Sequence, residues 1–153
     1  MNKHEILKIN PAEAAALIDA LDDYASALYP PESNHLESIE DLGKKNVRMF
    51  GCKIKGEIVA TGAVKLMDSY GEIKRLYVSP PHRGQKIASK IMQRLELEIE
   101  ENNLDFARLE TGIYQPEAIA LYKKKGYVAC EPFGNYTEDP LSIFMEKQIQ
   151  SKK

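Results

Sequence analysis

One stretch of the chain, residues 79–101, constrains the fold more than any other. It opens with the loop sequence SPPHRGQK and continues into a segment without glycine. In that segment apolar side chains recur every fourth residue, at Ile87, Ile91, Leu95 and Ile99. This spacing predicts a helix over residues 85–101 with one apolar face, which must pack against a sheet or another helix. The segment GEIKRLYVSP before the loop has the composition of a strand, so a strand, a short loop and a helix are predicted in succession.

The segments on either side predict a mixed sheet. Two more strand candidates, VRMFGCKIKG and EIVATGAVKLMD, come before GEIKRLYVSP, and Lys55-Gly56 supplies the turn of a hairpin between them. The strand candidate DFARLETG, the helix candidate QPEAIALYKKKG and the strand candidates YVAC and LSIFMEK follow residue 101. The first part of the chain predicts one strand, HEILKIN, and two helices. We therefore expect an α/β (α+β) fold, a single domain over residues 1–153 with a mixed sheet of about seven strands and about four flanking helices.

Charge and hydropathy exclude several functions. The net charge is −2 and the pI is about 6.0, which argues against a nucleic-acid partner. No apolar run is long enough to cross a bilayer, and the charged N-terminus does not resemble a signal peptide. Cys52 and Cys130 have no neighbouring cysteine or histidine at metal-ligand spacing, so no metal site is predicted. These features together predict a cytoplasmic protein with two structural thiols.

The loop before the helix has the ingredients of an anion site. A helix start presents backbone N–H groups without partners and a partial positive charge. Arg83 adds a permanent cation, and Gly84 allows the backbone to turn tightly and approach a ligand. Lys86 and Lys90 follow close behind. An ordinary helix start with a solvated basic face explains the same residues equally well on spacing alone.

Two segments resemble motifs of the GNAT superfamily of N-acetyltransferases, and two others, YPPESNHL and PFGNYTEDPLSIFMEK, resemble one bacterial subset of it. In GEIKRLYVSPPHRGQKIASKIM, the coenzyme-binding pattern of Arg or Gln, two residues, Gly, one residue and Gly or Ala falls on Arg83, Lys86 and Ala88. Lysine therefore stands where the family usually has glycine. LETGIYQPEAIALYKKKGY is similar to the second motif, which falls on Gln115, Ala118 and Tyr122. The predicted order of strands and helices also matches that of the family.

The resemblance implies acetyl-CoA as the co-substrate and no metal. Its pantetheine arm would run along the backbone of Leu76, Tyr77 and Val78 as an added strand. Gln115 stands where the family usually has an asparagine that contacts this arm. The pyrophosphate would bind at the helix start, against Arg83, Gly84, Gln85, Lys86, Ile87, Ala88 and Ser89.

The resemblance also implies roles in catalysis, as direct attack by an amine in a ternary complex. Glu72 occupies the family position of the general base, and Glu110 is the competing candidate. For Glu110 we prefer a structural role, as a carboxylate paired with a lysine such as Lys74. The backbone N–H of Val78 would stabilise the oxyanion, and Tyr122 would be the acid that protonates the leaving thiolate. For the amine acceptor, a small molecule, the polar loops offer candidate binding residues: Tyr29, Ser33, His35 and Tyr136.

Two alternatives to this function remain open in the sequence. One is a domain of the same fold that binds or senses acyl-CoA without catalysis, since folds host many functions. The other is an acetyltransferase whose acceptor is a protein or peptide amine. A homodimer is common in the family, and the sequence contains no interface signal that decides the oligomeric state.

Overall fold

The computed structural model describes residues 4–33 and 38–149. Four α-helices lie in these ranges: Ala15–Leu28 (α1), Ile39–Leu42 (α2), Ile87–Glu101 (α3) and Pro116–Lys124 (α4). The strands are Glu5–Lys8 (β1), Val47–Ile54 (β2), Glu57–Leu66 (β3), Tyr70–Val78 (β4), Phe106–Gly112 (β5), Val128–Ala129 (β6) and Ser142–Gln148 (β7).

All seven strands of the described residues join one sheet in the order β1-β2-β3-β4-β5-β7-β6. Strands β1 to β4 pair antiparallel with their sequence neighbours. The pairing of β4 with β5 is parallel, which requires the crossover that α3 supplies. Strand β7 lies antiparallel between β5 and β6. The predicted mixed sheet of seven strands with four helices is confirmed.

The helices cover both faces of the sheet. On one face, α3 buries the predicted stripe in the main core, together with Met92 and with Val64 and Ile73 of the sheet. On the other face, Ile18 of α1 and Leu42 of α2 pack against Met49 and Ala63 in a second cluster. Each apolar side chain that leaves water in this way contributes roughly 1.5–3 kcal/mol, so the two clusters orient the helices on the sheet.

Two helix predictions differ from the structure in detail. Helix α3 begins at Ile87 rather than at residue 85, because Gly84 and Lys86 have positive φ angles of 82° and 64°. For α1 the sequence predicts one apolar face formed by Leu17, Ile18, Leu21, Tyr24, Ala25 and Leu28. Ile18, Leu21 and Ala25 of this face are buried, but Tyr24 remains 40% exposed.

Strands β4 and β5 pair over only part of their length. Their register runs from Tyr70 opposite Phe106 to Ile73 opposite Leu109 and then ends. Just beyond, β4 contains a bulge, because two residues, Arg75 and Leu76, stand between the partners of Ala63 and Thr61 on β3. Arg75 takes a left-handed conformation with a φ of 57°. The hydroxyl of Thr61 donates a 3.0 Å hydrogen bond to the Arg75 carbonyl and stabilises this bulge. The two strands therefore separate and leave a gap in the sheet.

Gly71 of β4 sets how closely α3 approaches the sheet. A Cβ at this position would lie 2.5 Å from Cγ1 of Ile99 and 2.8 Å from Cγ2 of Val64. We expect Gly71→Ala to lower the free energy of unfolding by about 1–3 kcal/mol, measured by urea denaturation, because the buried methyl forces the helix and the strand apart. Gly43→Ala is the control, since the φ of Gly43 is −87° and the nearest atom to an added Cβ would be the Glu40 carbonyl oxygen, at 3.5 Å. Equal stability of the two variants would contradict the close packing at Gly71.

Candidate active site

Two cavities meet where β4 and β5 separate. The larger, of about 680 Å³, is lined by the end of β4, the loop before α3, the start of α3 and helix α4. The smaller, of about 100 Å³, lies between α1 and the strands β4 and β5. Four residues line both: Leu21, Leu76, Gln115 and Tyr122. A ligand in one cavity therefore comes close to a ligand in the other.

The loop and the start of α3 form an anion-binding surface in the larger cavity. Gly84 and Lys86, both with positive φ, turn the backbone so that the helix starts at the cavity wall. The first α-helical backbone bond of the turn joins the Lys90 N–H to the Lys86 carbonyl at 3.2 Å. The N–H groups of the residues between them have no partner inside the helix, and the dipole of this 15-residue helix adds positive charge.

Cations surround the same cavity. The side chains of Arg83, Lys86, Lys124 and Lys125 line it, and among the described lining residues Glu117 is the one acid. Lys125 donates to the hydroxyl of Ser89 at 3.1 Å and so bridges the end of α4 to the start of α3. The potential in this cleft is therefore positive, as a polyanionic ligand requires.

Most residues predicted to bind a coenzyme line this larger cavity. They are Leu76, Tyr77, Val78, Arg83, Gly84, Lys86, Ile87, Ala88, Ser89 and Gln115. Gln85 does not line it, and its side-chain oxygen lies 3.1 Å from Nε2 of His4. The backbone N–H of Arg83 donates to the Pro80 carbonyl, so it takes part in the turn itself. The Arg83 side chain donates through Nε to the Val78 carbonyl at 2.9 Å and lies over the Tyr77 ring.

Tyr122 is placed by α4 at the junction of the two cavities. Its side chain is 7% exposed and packs edge-on against Tyr127, with 6.1 Å between the ring centroids. Burial, and then the negative charge of Glu110, raise the pKa of the Tyr122 hydroxyl well above its usual value. The hydroxyl is therefore protonated at neutral pH and keeps its proton at a pH at which an ordinary tyrosine loses it.

The two candidate carboxylates have different surroundings. Glu72 is 6% exposed, and its Oε2 accepts from the Tyr136 hydroxyl at 2.6 Å and from Lys74 Nζ at 3.1 Å. Glu110 lines the smaller cavity beside Tyr122 and accepts a 2.6 Å hydrogen bond from the hydroxyl of Ser142. Lys74 forms a 3.1 Å ion pair with Glu72, and Glu72 does not line either cavity.

The residues predicted to bind the acceptor fall in three places. Tyr29 and Ser33 line the smaller cavity, and the Ser33 hydroxyl donates to Asp139 at 2.6 Å. Tyr136 lies outside both cavities, in the network with Glu72 and Lys74. Burial, and then the charge of Glu72, raise the Tyr136 pKa, so its hydroxyl remains a donor. His35 lies outside the described residues.

Several lining residues were not predicted from the sequence. Lys74 and Arg75 line the smaller cavity, and Tyr24 and Tyr114 line the larger one. The bulge decides the position of Arg75, whose guanidinium is 2.7 Å from the Asp22 carboxylate. Strand alternation does not reveal such a bulge. Tyr114 has a sequence signal, because it directly precedes Gln115 of the second motif.

The two cysteine thiols lie apart from both cavities. Neither Cys52 nor Cys130 lines a cavity, and burial raises the pKa of both thiols. Residues 4–33 and 38–149 contain no group of three His, Cys, Asp or Glu side chains arranged to hold a metal ion. In the same part of the chain, no helix combines the length and the apolar character that a bilayer crossing needs.

Known proteins share both the sequence and the architecture. Residues 14–127 match the Acetyltransferase (GNAT) family. The chain is 43% identical over 135 residues to an IAA acetyltransferase of Azospirillum brasilense, covering 87% of this chain and 88% of that protein. A Klebsiella pneumoniae structure assigned to the acyl-CoA N-acyltransferases is 37% identical with a TM-score of 0.81, over 96% of this chain and 98% of that one.

A more distant neighbour shares the fold alone. It is an N-acetyltransferase of Thermoplasma acidophilum solved in complex with coenzyme A, at 17% identity and a TM-score of 0.73, over 97% of this chain and 99% of that one. The family match covers most of the chain, and the Azospirillum relative is similar along nearly its whole length. This chain therefore belongs to the Acetyltransferase (GNAT) family and is an N-acetyltransferase.

Proposed function

We propose that the protein transfers the acetyl group of acetyl-CoA to the amine of a small molecule, by direct attack while both substrates are bound. The observation that carries this proposal is the position of Tyr122, which lines the large cationic cleft and the small cavity at once. A proton donor at that junction can act on a group from one cavity that reacts with a group from the other. Since the smaller cavity measures about 100 Å³, it suits a small amine better than a folded protein surface.

The larger cavity has the shape and charge that coenzyme A requires. Beyond Ile73 and Leu109 the edge of β4 is no longer paired with β5, and Leu76, Tyr77 and Val78 line the cavity there. A pantetheine arm can add to this edge as a strand would, with Gln115 at its side. The start of α3 with Lys86, Lys124 and Lys125 offers N–H groups and cations to the phosphates.

Acetyl-CoA supplies an activated acyl group, and the chain supplies the proton chemistry around it. Tyr122 holds its proton because its pKa is raised, and it donates that proton to the departing thiolate sulfur. The backbone N–H of Val78 is the proposed donor to the acyl oxygen as negative charge develops there.

Glu110 and Glu72 are the two proposed bases for the incoming ammonium group. An amine attacks only in its neutral form, and a nearby carboxylate can accept its proton directly or through water. Glu110 is favoured, because it lines the smaller cavity with Tyr122. Glu72, the family position, is engaged by Lys74 and Tyr136 and would act from behind that network.

The proposal is tested by acetyl-CoA turnover against a panel of primary amines, measured as release of free thiol. IAA is assayed separately from the amines, because the Azospirillum relative is an IAA acetyltransferase. Transfer to at least one small amine is the expected result. If the protein binds coenzyme and transfers the acetyl group to a protein or peptide amine but to none of these compounds, the acceptor is a protein or peptide.

Replacing Tyr122 by phenylalanine tests the acid. We expect Tyr122→Phe to lower kcat by about 100-fold or more while the Kd for CoA, measured by calorimetry, stays the same. Because the pKa of Tyr122 is raised, deprotonation of this hydroxyl should not lower the wild-type kcat up to about pH 10. Tyr127→Phe is the matched control, since it removes a buried hydroxyl that binds Glu96 outside both cavities. A Tyr122→Phe enzyme with normal kcat would exclude this role.

The pH profiles of Glu110→Gln and Glu72→Gln distinguish the bases. We expect Glu110→Gln to lower kcat/KM at neutral pH by about 100-fold and to recover as the pH rises, because the amine then loses its proton to solvent. Glu72→Gln should lower kcat/KM less and without that recovery. The reverse pattern would make Glu72 the base.

Variants of Lys86 separate backbone strain from charge. Lys86 holds a φ of 64°, which costs a residue with a side chain about 1 kcal/mol. Lys86→Gly should therefore raise the free energy of unfolding of the unliganded protein by about this amount, while Lys86→Ala, which keeps the strain, should not. Both variants lose a cation in the cleft, so both should bind CoA with a smaller salt dependence in calorimetry. If both bound CoA more tightly at every salt concentration, the lysine would impair coenzyme binding.

A further inference from the structure

A stacked pair of tyrosines lies where the two cavities meet. The rings of Tyr29 and Tyr114 are 5.6 Å apart between centroids, with 24° between their planes. Tyr29 is 8% exposed and lines the smaller cavity, whereas Tyr114 is 51% exposed and lines the larger one. One face of the outer ring is therefore supported by protein, and the ring as a whole remains open to the cleft.

The inner ring is held in place by the backbone around β5. The Tyr29 hydroxyl donates to the Gln115 side-chain oxygen at 3.3 Å and accepts from the Tyr114 N–H at 3.0 Å. The hydroxyl also occupies the space beside Gly112, where a Cβ would lie 1.8 Å from it. Only glycine at position 112 leaves room for this contact. Tyr29 thus acts as a fixed support for Tyr114 and ties α1 to the start of α4.

Apolar groups of α1 complete the wall beside Tyr114. Tyr24, which is 40% exposed, and the buried Leu21 line the same cavity. The cations of the cleft lie on the loop before α3, at its start and at the end of α4, which leaves this wall aromatic. A fixed, exposed aromatic face binds a planar group at a low entropic cost, because its own side chain is already ordered.

We propose that the acceptor amine carries a planar aromatic ring and that this ring stacks on Tyr114, with Tyr24 beside it. The inference rests on the proposed function and specifies its acceptor. Tyr122 lines the same cavity, so an amine on a short chain attached to the stacked ring reaches the junction of the two cavities. The carboxylate of Glu110 lies in the smaller cavity there and attracts the ammonium form.

Tryptamine is a suitable probe, because the chain contains no tryptophan and the indole signal comes from the ligand alone. We would titrate the CoA-bound protein into tryptamine and follow the indole fluorescence. Competition of bound tryptamine by 2-phenylethylamine and by its saturated analogue 2-cyclohexylethylamine gives the preference for an aromatic ring. We expect 2-phenylethylamine to bind several times more tightly than the saturated amine, because aromatic pairs gain energy beyond their buried area.

Tyr114→Ala should weaken tryptamine binding about three- to tenfold and leave the saturated amine almost unaffected. Tyr114→Phe is the matched variant, since it keeps the ring and should keep the preference. The Kd for CoA, measured by calorimetry, should be the same in all three proteins. Thermal unfolding of the exposed-site variants verifies that each is folded.

Three results would overturn the inference. They are the absence of tryptamine binding to the wild type, equal binding of tryptamine to Tyr114→Ala, and a loss of CoA affinity in Tyr114→Ala as large as the loss of tryptamine affinity. The last would mean that Tyr114 contacts the coenzyme. Because the readout is binding, it is separate from turnover: ring preference without acetylation of any amine supports the aromatic site and contradicts the proposed reaction.

Discussion

The early end of pairing between β4 and β5 is the constraint on which the site depends. In a continuous sheet the backbone N–H and C=O groups of these two strands would bond to each other, and no cleft would exist between them. Here the register ends after Ile73 and Leu109, and the bulge at Arg75 turns the rest of β4 away. Thr61 holds the bulge from β3, and the guanidinium of Arg75 binds the Ile18 carbonyl and Asp22 of α1. The gap is therefore built into the sheet and tied to the helix that forms one wall of the cleft.

The start of α3 shows how the protein combines backbone strain with charge. A left-handed residue is needed at position 86 to turn the chain from the loop into the helix, and glycine would adopt that conformation without cost. A lysine there keeps a cation at the mouth of the anion-binding surface. Its neighbours Arg83 and Lys125 are held by the Val78 carbonyl and by Ser89, so the charge is distributed around the cleft.

Polar networks divide the region around β4 and β5 into two parts. Glu72, Lys74 and Tyr136 form a compact network that fastens the loop before β7 to β4. Glu110 lies on the next strand, faces the smaller cavity and is supported by Ser142 of β7. Glu72, at the position that the family resemblance implies for the base, forms an ion pair with Lys74 of the same strand, whereas Glu110 lines the smaller cavity with Tyr122. Two carboxylates that are similar in sequence thus have different chemistry available to them.

Local patterns were sufficient for the secondary structure and for the coenzyme cleft. The four-residue repeat of α3, the turn at Lys55-Gly56 and the two motifs act through contacts between residues close in the chain, which sequence spacing describes directly. The order of strands and helices along the chain therefore agrees with the prediction. Most residues predicted to bind the coenzyme line the larger cavity, whereas Gln85 contacts His4 and does not line it.

The acceptor side was decided by tertiary structure. Its features are the bulge at Arg75, the hydrogen bond of the Tyr136 hydroxyl to Glu72, and the contact of Tyr29 with Gly112. Each joins segments that are far apart in the chain or changes the facing of a strand, and neither effect leaves a periodic signal. The residues proposed to hold the coenzyme phosphates were thus evident from the chain alone, while the arrangement of those proposed to contact the amine became evident only when α1, β4, β5 and α4 were brought together.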